Sequence, residues 1–483
     1  MTASRQLPCL FAAVLMTGCV VGPTYVQPPP PAGDRYIPAS PPTDQAAPQQ
    51  HLTFGAPVED RWWQGFGSDA LNSVVDRAIG ASPTLDSARA TLAEARETLV
   101  AARGAYYPQL DASASATRQK RPASQAGGTR TAQATANVYS VGPLVTFPLD
   151  IFGGVRRNVE ERSALVDVQR YQYGAAYLSL TGNVVIQAID IASAAEQLAA
   201  VSEIVTIDSR NLELAKLSAA AGKAAQLDVL SATSQLASDR TLLPPLHQQQ
   251  DLAIDALSVL AGTSPAQWTP PDFDFRGLAL PQTLPVRLPS ELVHRRPDIL
   301  AAEAQLHATN AAIGVAAAQL YPSVTLDGSW TRESTHSGIP LLDSSANLWA
   351  VAANLTAPLF HGGALRAQRR AAIDAYAAQL GTYRQTVLQA FGQVADTLHA
   401  LDHDAETLEA ERGALDATQA SLHLTQQAYE AGQASLLQVL DSQRLYQQAR
   451  LGYARALGQR YLDTVQLYVA LGGSAPVESS ESH

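Results

Sequence analysis

The sequence AGKAAQLDVL at residues 221–230 recurs 210 positions later as AGQASLLQVL at residues 431–440. Further matches keep nearly the same offset, among them Tyr107-Pro108 with Tyr321-Pro322, Gly153-Gly154 with Gly362-Gly363, and Leu260-Ala261-Gly262 with Leu471-Gly472-Gly473. A period of this size is far longer than the roughly 20 to 50 residues of solenoid repeats. The chain therefore contains two copies of one large unit, which must fold together.

Each copy is predicted to begin with a helix and two strands. The opening helices span about 69–103 and 290–319, and each stops near a Tyr-Pro pair because the residue before a proline disfavours the helical conformation. Alternation of polar and apolar residues predicts the strands, at about 110–118 and 137–147 in the first copy and about 323–332 and 347–357 in the second.

A long helix and a shorter return helix are predicted to complete each copy. Proline-free segments at about 158–221 and 364–431 predict helices roughly 95 to 100 Å long. The turns Ala221-Gly222 and Ala431-Gly432 lead into return helices about half as long, and Pro244-Pro245 interrupts only the first of them. Their Ala, Leu and Gln content favours a coiled-coil bundle. The lengths match if each return helix stacks end to end on the opening helix of the other copy.

The N-terminus has the pattern of a secretory leader. Arg5 precedes an apolar run, 7–16, that is too short to span a bilayer and ends in Thr17-Gly18-Cys19. The pattern resembles a bacterial lipoprotein signal, in which the chain is cut before the cysteine and Cys19 is acylated. Met16 departs from the usual leucine of that signal, and an ordinary signal peptide with an incidental cysteine is the alternative. Cys9 leaves with the leader, so the mature chain can form no internal disulfide.

These features predict six segments along the chain. They are a lipoprotein signal peptide at 1–18, a lipidated extended segment at 19–68, the first repeat at 69–263, a proline-rich linker at 264–289, the second repeat at 290–473 and a disordered tail at 474–483.

Composition and motifs argue against several classes of function. The net charge of −11 argues against a nucleic-acid partner. No apolar run of about 18 residues follows the leader, so no transmembrane helix is expected. His399 and His403 have the spacing of metal ligands on a helix, but the glutamate of a zinc hydrolase motif is missing between them. We therefore expect no enzyme activity, no cofactor and no metal site.

Four strands of about nine to eleven residues suit a membrane-spanning barrel but cannot close one, and lipid does not tolerate an open edge. The chain must then assemble. Bacterial single-chain barrels have at least eight strands, so two chains are the minimum and three chains with twelve strands are equally natural. A structural trimeric coiled-coil lipoprotein is a different class, and it has no need of amphipathic strands. The predicted fold class is an internally duplicated α+β membrane protein.

Several motifs resemble those of one family. LVHRRPDI at 292–299 and YPS at 321–323 resemble the signature of the outer-membrane efflux lipoproteins of the OprM and NodT type, within the TolC family. YEAG at 429–432 and VLDSQR at 439–444 resemble its C-terminal repeat. The resemblance covers about residues 19–473. It implies a homotrimer with a shared twelve-stranded barrel and a long periplasmic coiled-coil tunnel.

The resemblance also implies site residues. Asp441 and Leu437, one helical turn apart, would be repeated three times around the axis as the periplasmic gate. Ser231 takes the place of Asp441 in the first copy, so one carboxylate ring per trimer is expected. A helix-surface acid paired with Arg444 is the alternative for Asp441. The helix-tip turns that would contact an adaptor are Ala221, Gly222, Ala431 and Gly432.

The implied function is that of an outer-membrane exit duct in a tripartite efflux system. Such a duct passively conducts drugs or other small toxic compounds from an RND-type inner-membrane pump and a periplasmic adaptor protein to the exterior. The resemblance places the chain in the outer membrane, held by its lipid anchor and its barrel and extending into the periplasm. A type I secretion exit duct is the alternative, although such ducts usually lack the lipoprotein signal.

Overall fold

A computed structural model describes residues 20–29, 35–37, 50–121, 134–222, 225–334 and 347–473. The predicted leader at 1–18, Cys19 and the predicted tail at 474–483 lie outside the described residues. The chain divides into two compact units. The strand unit comprises Met1–Pro28, Leu92–Gln169 and Ala302–Tyr383, and the helical unit comprises Pro29–Thr91, Arg170–Ala301 and Arg384–His483.

The described residues form six strands and nine α-helices. The strands are β1 His51–Phe54, β2 Gln109–Arg121, β3 Ala134–Leu149, β4 Thr283–Val286, β5 Ser323–Ser334 and β6 Asn347–Thr356. The helices are α1 Asp69–Ala81, α2 Pro83–Arg103, α3 Gly154–Ala220, α4 Gln226–Arg240, α5 Leu243–Leu260, α6 Pro289–Val293, α7 Pro297–Ala318, α8 Ala364–Glu430 and α9 Leu436–Ala470.

The strand unit is built on one antiparallel sheet in the order β2-β3-β5-β6. Hairpins pair β2 with β3 and β5 with β6, and the β3–β5 ladder joins the two repeats. Large apolar side chains remain exposed on the strands, including Leu110, Trp349 and Val351. Exposed apolar side chains at alternate positions are the pattern expected of strands that face lipid.

The two long helices have equal length. Each contains 67 residues, so each is about 100 Å long. One 18-residue window of α3 has a mean hydropathy of 1.4, which would suffice for a membrane span, but 67% of that window is buried inside the protein. Packing within the protein therefore accounts for its apolar character.

Prolines divide helices that the sequence pattern predicts as continuous. The opening helix predicted at 69–103 is two helices, because Ser82 before Pro83 is extended. The helix predicted at 290–319 is likewise divided, with α7 beginning at Pro297. In the first return segment, α4 ends at Arg240 and α5 carries Pro244-Pro245 in its first turn, whereas α9 is continuous.

Each return helix ends beside the opening helices of its own repeat. Gly262 follows α5 with a φ of +74°, and its Cα lies so near the end of α1 that an added Cβ would overlap the Ala81 carbonyl. Gly472 follows α9 with a φ of +84°, and an added Cβ there would lie in tight contact, 3.1 Å from the Cα of Arg296, the residue before α7. The predicted stacking on the other copy was wrong. Helix lengths match in either arrangement, so they could not distinguish the two.

The predicted linker contributes to the core of the helical unit. Phe273, Leu278 and Leu284 in this segment are buried. Main-chain hydrogen bonds tie the segment to the rest of the core, because Ala279 N donates to Phe66 O at 2.7 Å and β4 pairs in parallel with β1. The prolines of 264–289 therefore lie in an ordered, packed segment.

Candidate functional site

The two outgoing helices end in the same way at the helix tips. Gly222 and Gly432 both have a φ of +73°, the left-handed conformation that ends a helix and that glycine adopts without strain. Ala221 N donates to Leu217 O, and Ala431 N donates to Gln427 O, each at 3.0 Å. The predicted tip residues thus end the outgoing helices α3 and α8 with the same backbone conformation. Lys223 and Ala224 lie outside the described residues.

The helices that leave the tips are capped differently. In the second repeat, Ser435 N donates to Gln438 Oε1 at 2.7 Å and Gln438 N donates back to Ser435 Oγ at 3.4 Å. In the first repeat, Ala225 N donates to Asp228 Oδ2 at 3.1 Å, and alanine offers no side-chain acceptor in return. The second tip therefore has the more complete capping box.

The predicted gate residues lie on the exposed side of α9. The side chain of Leu437 is 66% exposed and that of Asp441 is 60% exposed in the single chain. Asp441 Oδ1 accepts a hydrogen bond from Arg444 Nη2 at 2.9 Å, so the alternative surface ion pair is present. Leu227, at the position corresponding to Leu437, is exposed as well. Both leucines are free of the core of their own chain and available to another surface.

Sequence reasoning missed a buried polar network about two heptads from the first tip. Asp208 on α3 and Asp239 on α4 are both buried and within hydrogen-bonding distance of each other. The buried amides of Gln443 and Gln447 on α9 donate to them. Burial, and then the neighbouring Asp239, raise the pKa of Asp208 well above its usual range. The available signal was Asp208 itself, an acid in the row of core residues formed by Ile204, Leu212 and Ala215.

The HRRPD motif ties three helices of the helical unit together. Arg296 is 8% exposed, and its Nε donates to both oxygens of Asp298, at 2.9 and 3.1 Å. Its Nη1 donates to the Ala470 carbonyl at the end of α9, at 2.9 Å, and its Nη2 donates to Gln393 on α8. The motif is therefore a packing and hydrogen-bonding centre, with its conformation set by a planar, five-donor side chain.

The chain immediately after Cys19 is held on the strand unit. Val21 N donates to Phe152 O at 3.1 Å, and Arg157 Nε donates to Val21 O at 3.2 Å. Further along, Tyr25 stacks on His307 with ring centroids 4.4 Å apart. The segment thus runs beside the junction where β3 ends and α3 begins.

The chain matches the family described as "Outer membrane efflux protein" over residues 74–263 and 288–473. Those two segments make up most of the chain. The protein belongs to the outer membrane efflux protein family. The predicted resemblance is confirmed.

Known members of the outer membrane efflux protein family match over nearly the whole chain. The pyoverdine export outer membrane protein OpmQ of Pseudomonas aeruginosa is 33% identical, with 89% of this chain and 91% of OpmQ aligned. The outer membrane protein OprJ of the same species is 31% identical, with 96% and 95% aligned. The solved outer-membrane channel OprN is 28% identical and superposes with a TM-score of 0.85 over 94% of this chain and 99% of that chain.

These likenesses confirm the predicted fold class and function. The chain has the architecture of the trimeric outer-membrane channels, a barrel with a helical tunnel, and supplies four strands and the long helices of both repeats. It is an outer-membrane exit duct for efflux. Members of this family are channels, not enzymes. His403 Nδ1 lies 3.9 Å from Glu406 Oε2, with both side chains exposed, and the described residues contain no cluster of three metal-ligating side chains.

Proposed function

We propose that three copies of this chain close one twelve-stranded barrel in the outer membrane. The observation that carries this proposal is the sheet order β2-β3-β5-β6, which leaves β2 and β6 with one neighbour each among the described residues. An edge strand in lipid exposes backbone N–H and C=O groups that cost several kcal/mol each when unsatisfied. Pairing β6 of one chain with β2 of the next satisfies both edges. The family resemblance favours three copies over the minimum of two.

Disulfide cross-linking between the edge strands tests this assembly. The mature chain has Cys19 as its one cysteine, so pairs engineered on β2 and β6 have little background. Oxidation in membranes should produce covalent trimers, and pairs placed on β3 and β5 should remain within one chain. If the largest cross-linked species is a dimer, the threefold count is wrong. A stable detergent-extracted monomer with full strand content would overturn the shared barrel.

Cys19 is the proposed lipid attachment site. Val20, the residue after Cys19, packs against Gly153, which lies four residues after the end of β3. A relative that is 26% identical, from Salmonella typhimurium, is described as a probable outer membrane lipoprotein, SilC. Mass spectrometry of the mature N-terminal peptide should show three acyl chains on Cys19. An unmodified peptide with a different first residue would refute the assignment.

Leu437 and Asp441 form the proposed periplasmic gate. Both side chains project from α9 next to a helix tip, and one chain contributes one carboxylate because Ser231 occupies the equivalent place. Three copies would place a ring of leucines one turn from a ring of carboxylates. Such a ring attracts cations and repels anions at a constriction. Single-channel measurements on Asp441 and Arg444 variants provide the test.

The proposed partners are a periplasmic adaptor protein and an RND-type inner-membrane pump. The two equivalent tips give six turns per trimer, formed by Ala221, Gly222, Ala431 and Gly432. A photo-crosslinking amino acid at Ala221 or Ala431 should capture the adaptor in cells, whereas the same group at exposed Thr407 in the middle of α8 should not. Capture at Thr407 alone would place the adaptor elsewhere.

The proposed cargo consists of small toxic compounds, with drugs as the first class to test. Relatives are named for the export of pyoverdine, for solvent efflux and for toluene efflux, all of which are small molecules. Deleting the gene should lower the inhibitory concentrations of such compounds, because the proposed duct conducts them out of the cell without converting them chemically. Loss of a secreted protein with unchanged drug tolerance would favour the type I secretion duct instead.

A further inference from the structure

Two buried carboxylates face each other between the outgoing and return helices of the first repeat. Asp208 on α3 is 1% exposed and Asp239 on α4 is 5% exposed, and their side chains are within hydrogen-bonding distance. They continue the core rows that contain Leu212 on α3 and Leu236 on α4. Two ionised carboxylates in this position would repel each other, and burial disfavours both charges.

The hydrogen bonds leave one buried oxygen of Asp208 without a donor. Asp239 Oδ2 accepts from Gln235 Nε2 at 2.9 Å and from Gln447 Nε2 at 3.2 Å. Asp208 Oδ1 accepts from Gln443 Nε2 at 2.5 Å. Asp208 Oδ2 is buried and accepts from no group in the described residues. A proton on this oxygen makes Asp208 a donor to Asp239 and removes the repulsion between them.

In the part of the chain that the structure describes, no cation is among the groups that shift the pKa of Asp208. Burial raises the pKa of Asp208 most, and Asp239 raises it further. The amides of Gln447 and Gln443 lower it. The charged neighbours along the three helices point elsewhere. Arg450 pairs with Glu203 at 2.6 Å, Arg444 pairs with Asp441 at 2.9 Å, and Arg210 and Arg240 are exposed.

We propose that Asp208 and Asp239 bind one shared proton at neutral pH. The hydrogen-bonded carboxyl pair, which we call the clasp, then holds return helix α4 against outgoing helix α3. The clasp lies 13 residues from Ala221 on α3, about 20 Å from the tip. Its consequence for transport rests on the proposed function, because a looser helix pair beside the tip makes the periplasmic end easier to open. Proton binding itself is independent of transport.

A second carboxyl pair lies between the outgoing and return helices of the second repeat, two heptads further from its tip. Asp404 on α8 and Asp463 on α9 lie 27 and 32 residues from Ala431, whereas Asp208 and Asp239 lie 13 and 18 residues from Ala221. The shift is 14 residues for both members. Here too burial and the second aspartate raise the pKa of Asp404, but buried Arg460 acts in the opposite direction. The second pair therefore has a cation that the first pair lacks, which makes it a matched control.

The direction of the pH effect follows from the raised pKa of Asp208. An aspartate in an unfolded chain has a pKa near 4, so only the folded state holds this proton at neutral pH. The clasp contributes its full stabilisation of the folded state below about pH 4, and this stabilisation is lost as the pH rises through the raised pKa of Asp208. Alkaline conditions therefore loosen α4 from α3.

Hydrogen–deuterium exchange of the purified full-length trimer tests the clasp. In wild type, the protection factors of α4 amides should fall roughly tenfold between about pH 5 and about pH 9, the effect of losing one buried hydrogen bond. Asp208→Asn mimics the protonated group, because its amide donates to Asp239 while its oxygen still accepts from Gln443. This variant should keep α4 protected at every pH. Asp404→Asn should leave the α4 curve of wild type unchanged.

Two results would overturn the proposal. One is a pH-independent α4 in wild type, and the other is a wild-type pH response in Asp208→Asn. If Asp208→Asn fails to assemble, Asp239→Asn provides a second variant, since its amide can donate to Asp208 and should also remove the pH response. A transport assay on the same proteins is scored separately. Normal exchange behaviour with no transport would refute the proposed function and leave the clasp intact.

Discussion

Opposite charge changes at the candidate gate separate a carboxylate ring from a surface ion pair. Asp441 and Arg444 lie 2.9 Å apart with both side chains about half exposed, so their mutual attraction contributes less than about 1 kcal/mol. Asp441→Ala leaves three unopposed arginines per trimer, and Arg444→Ala leaves three unopposed carboxylates. The stability of the two variants should therefore stay close to wild type.

The expected change in ion selectivity is several-fold. A cation on the axis, about 10 Å from each of three unit charges, interacts with each by roughly 0.4 kcal/mol in water and with all three by about 1 kcal/mol. That energy corresponds to a change in local cation concentration of roughly fivefold. Cation preference should fall by this order in Asp441→Ala and rise by this order in Arg444→Ala. Salt at about 1 M should abolish both effects, because the Debye length is then about 3 Å.

Single-channel recording in planar bilayers measures both quantities. Reversal potentials across a salt gradient report selectivity, and conductance reports the width of the closed constriction, which should increase in Asp441→Ala. Ser231→Ala provides the matched control, since it removes a polar group from the equivalent position of the first repeat without changing charge. If both charge variants have the wild-type reversal potential in dilute salt, Asp441 is a helix-surface acid and the constriction lies elsewhere.

Three further substitutions test the scaffold. Arg296→Lys should lower the unfolding free energy by about 3 kcal/mol, because lysine cannot replace the planar guanidinium that donates to both α8 and α9. Thermal denaturation should show this loss, whereas the exposed control His294→Ala should denature like wild type. Gly262→Ala should be more destabilising than Gly222→Ala by the same assay, since both have a positive φ but only Gly262 meets a neighbouring carbonyl; equal losses would contradict the close contact. Ser435→Ala should cost about 1 kcal/mol and increase amide exchange at the start of α9, and unchanged exchange there would refute the capping role.

The sequence by itself determined the duplication, the types of element and the family. A 210-residue offset between two Ala-Gly turns is visible without coordinates, and so are proline-free segments long enough for helices of about 100 Å. These signals are local, because periodicity and turn chemistry depend on residues close together in the chain. The four strands followed from alternation in the same way. The need for several chains followed from the strand count and the intolerance of lipid for open edges.

Tertiary structure decided which elements meet. Helix lengths allowed each return helix to stack on either copy, and the close contacts of Gly262 and Gly472 show that it meets its own. The strand order, with β3 paired to β5, depends on long-range hydrogen bonds that no local pattern encodes. The carboxyl pair of Asp208 and Asp239 was equally hidden. The two residues are 31 positions apart, and the raised pKa of Asp208 depends on burial and on Asp239, which only the packed structure brings to it.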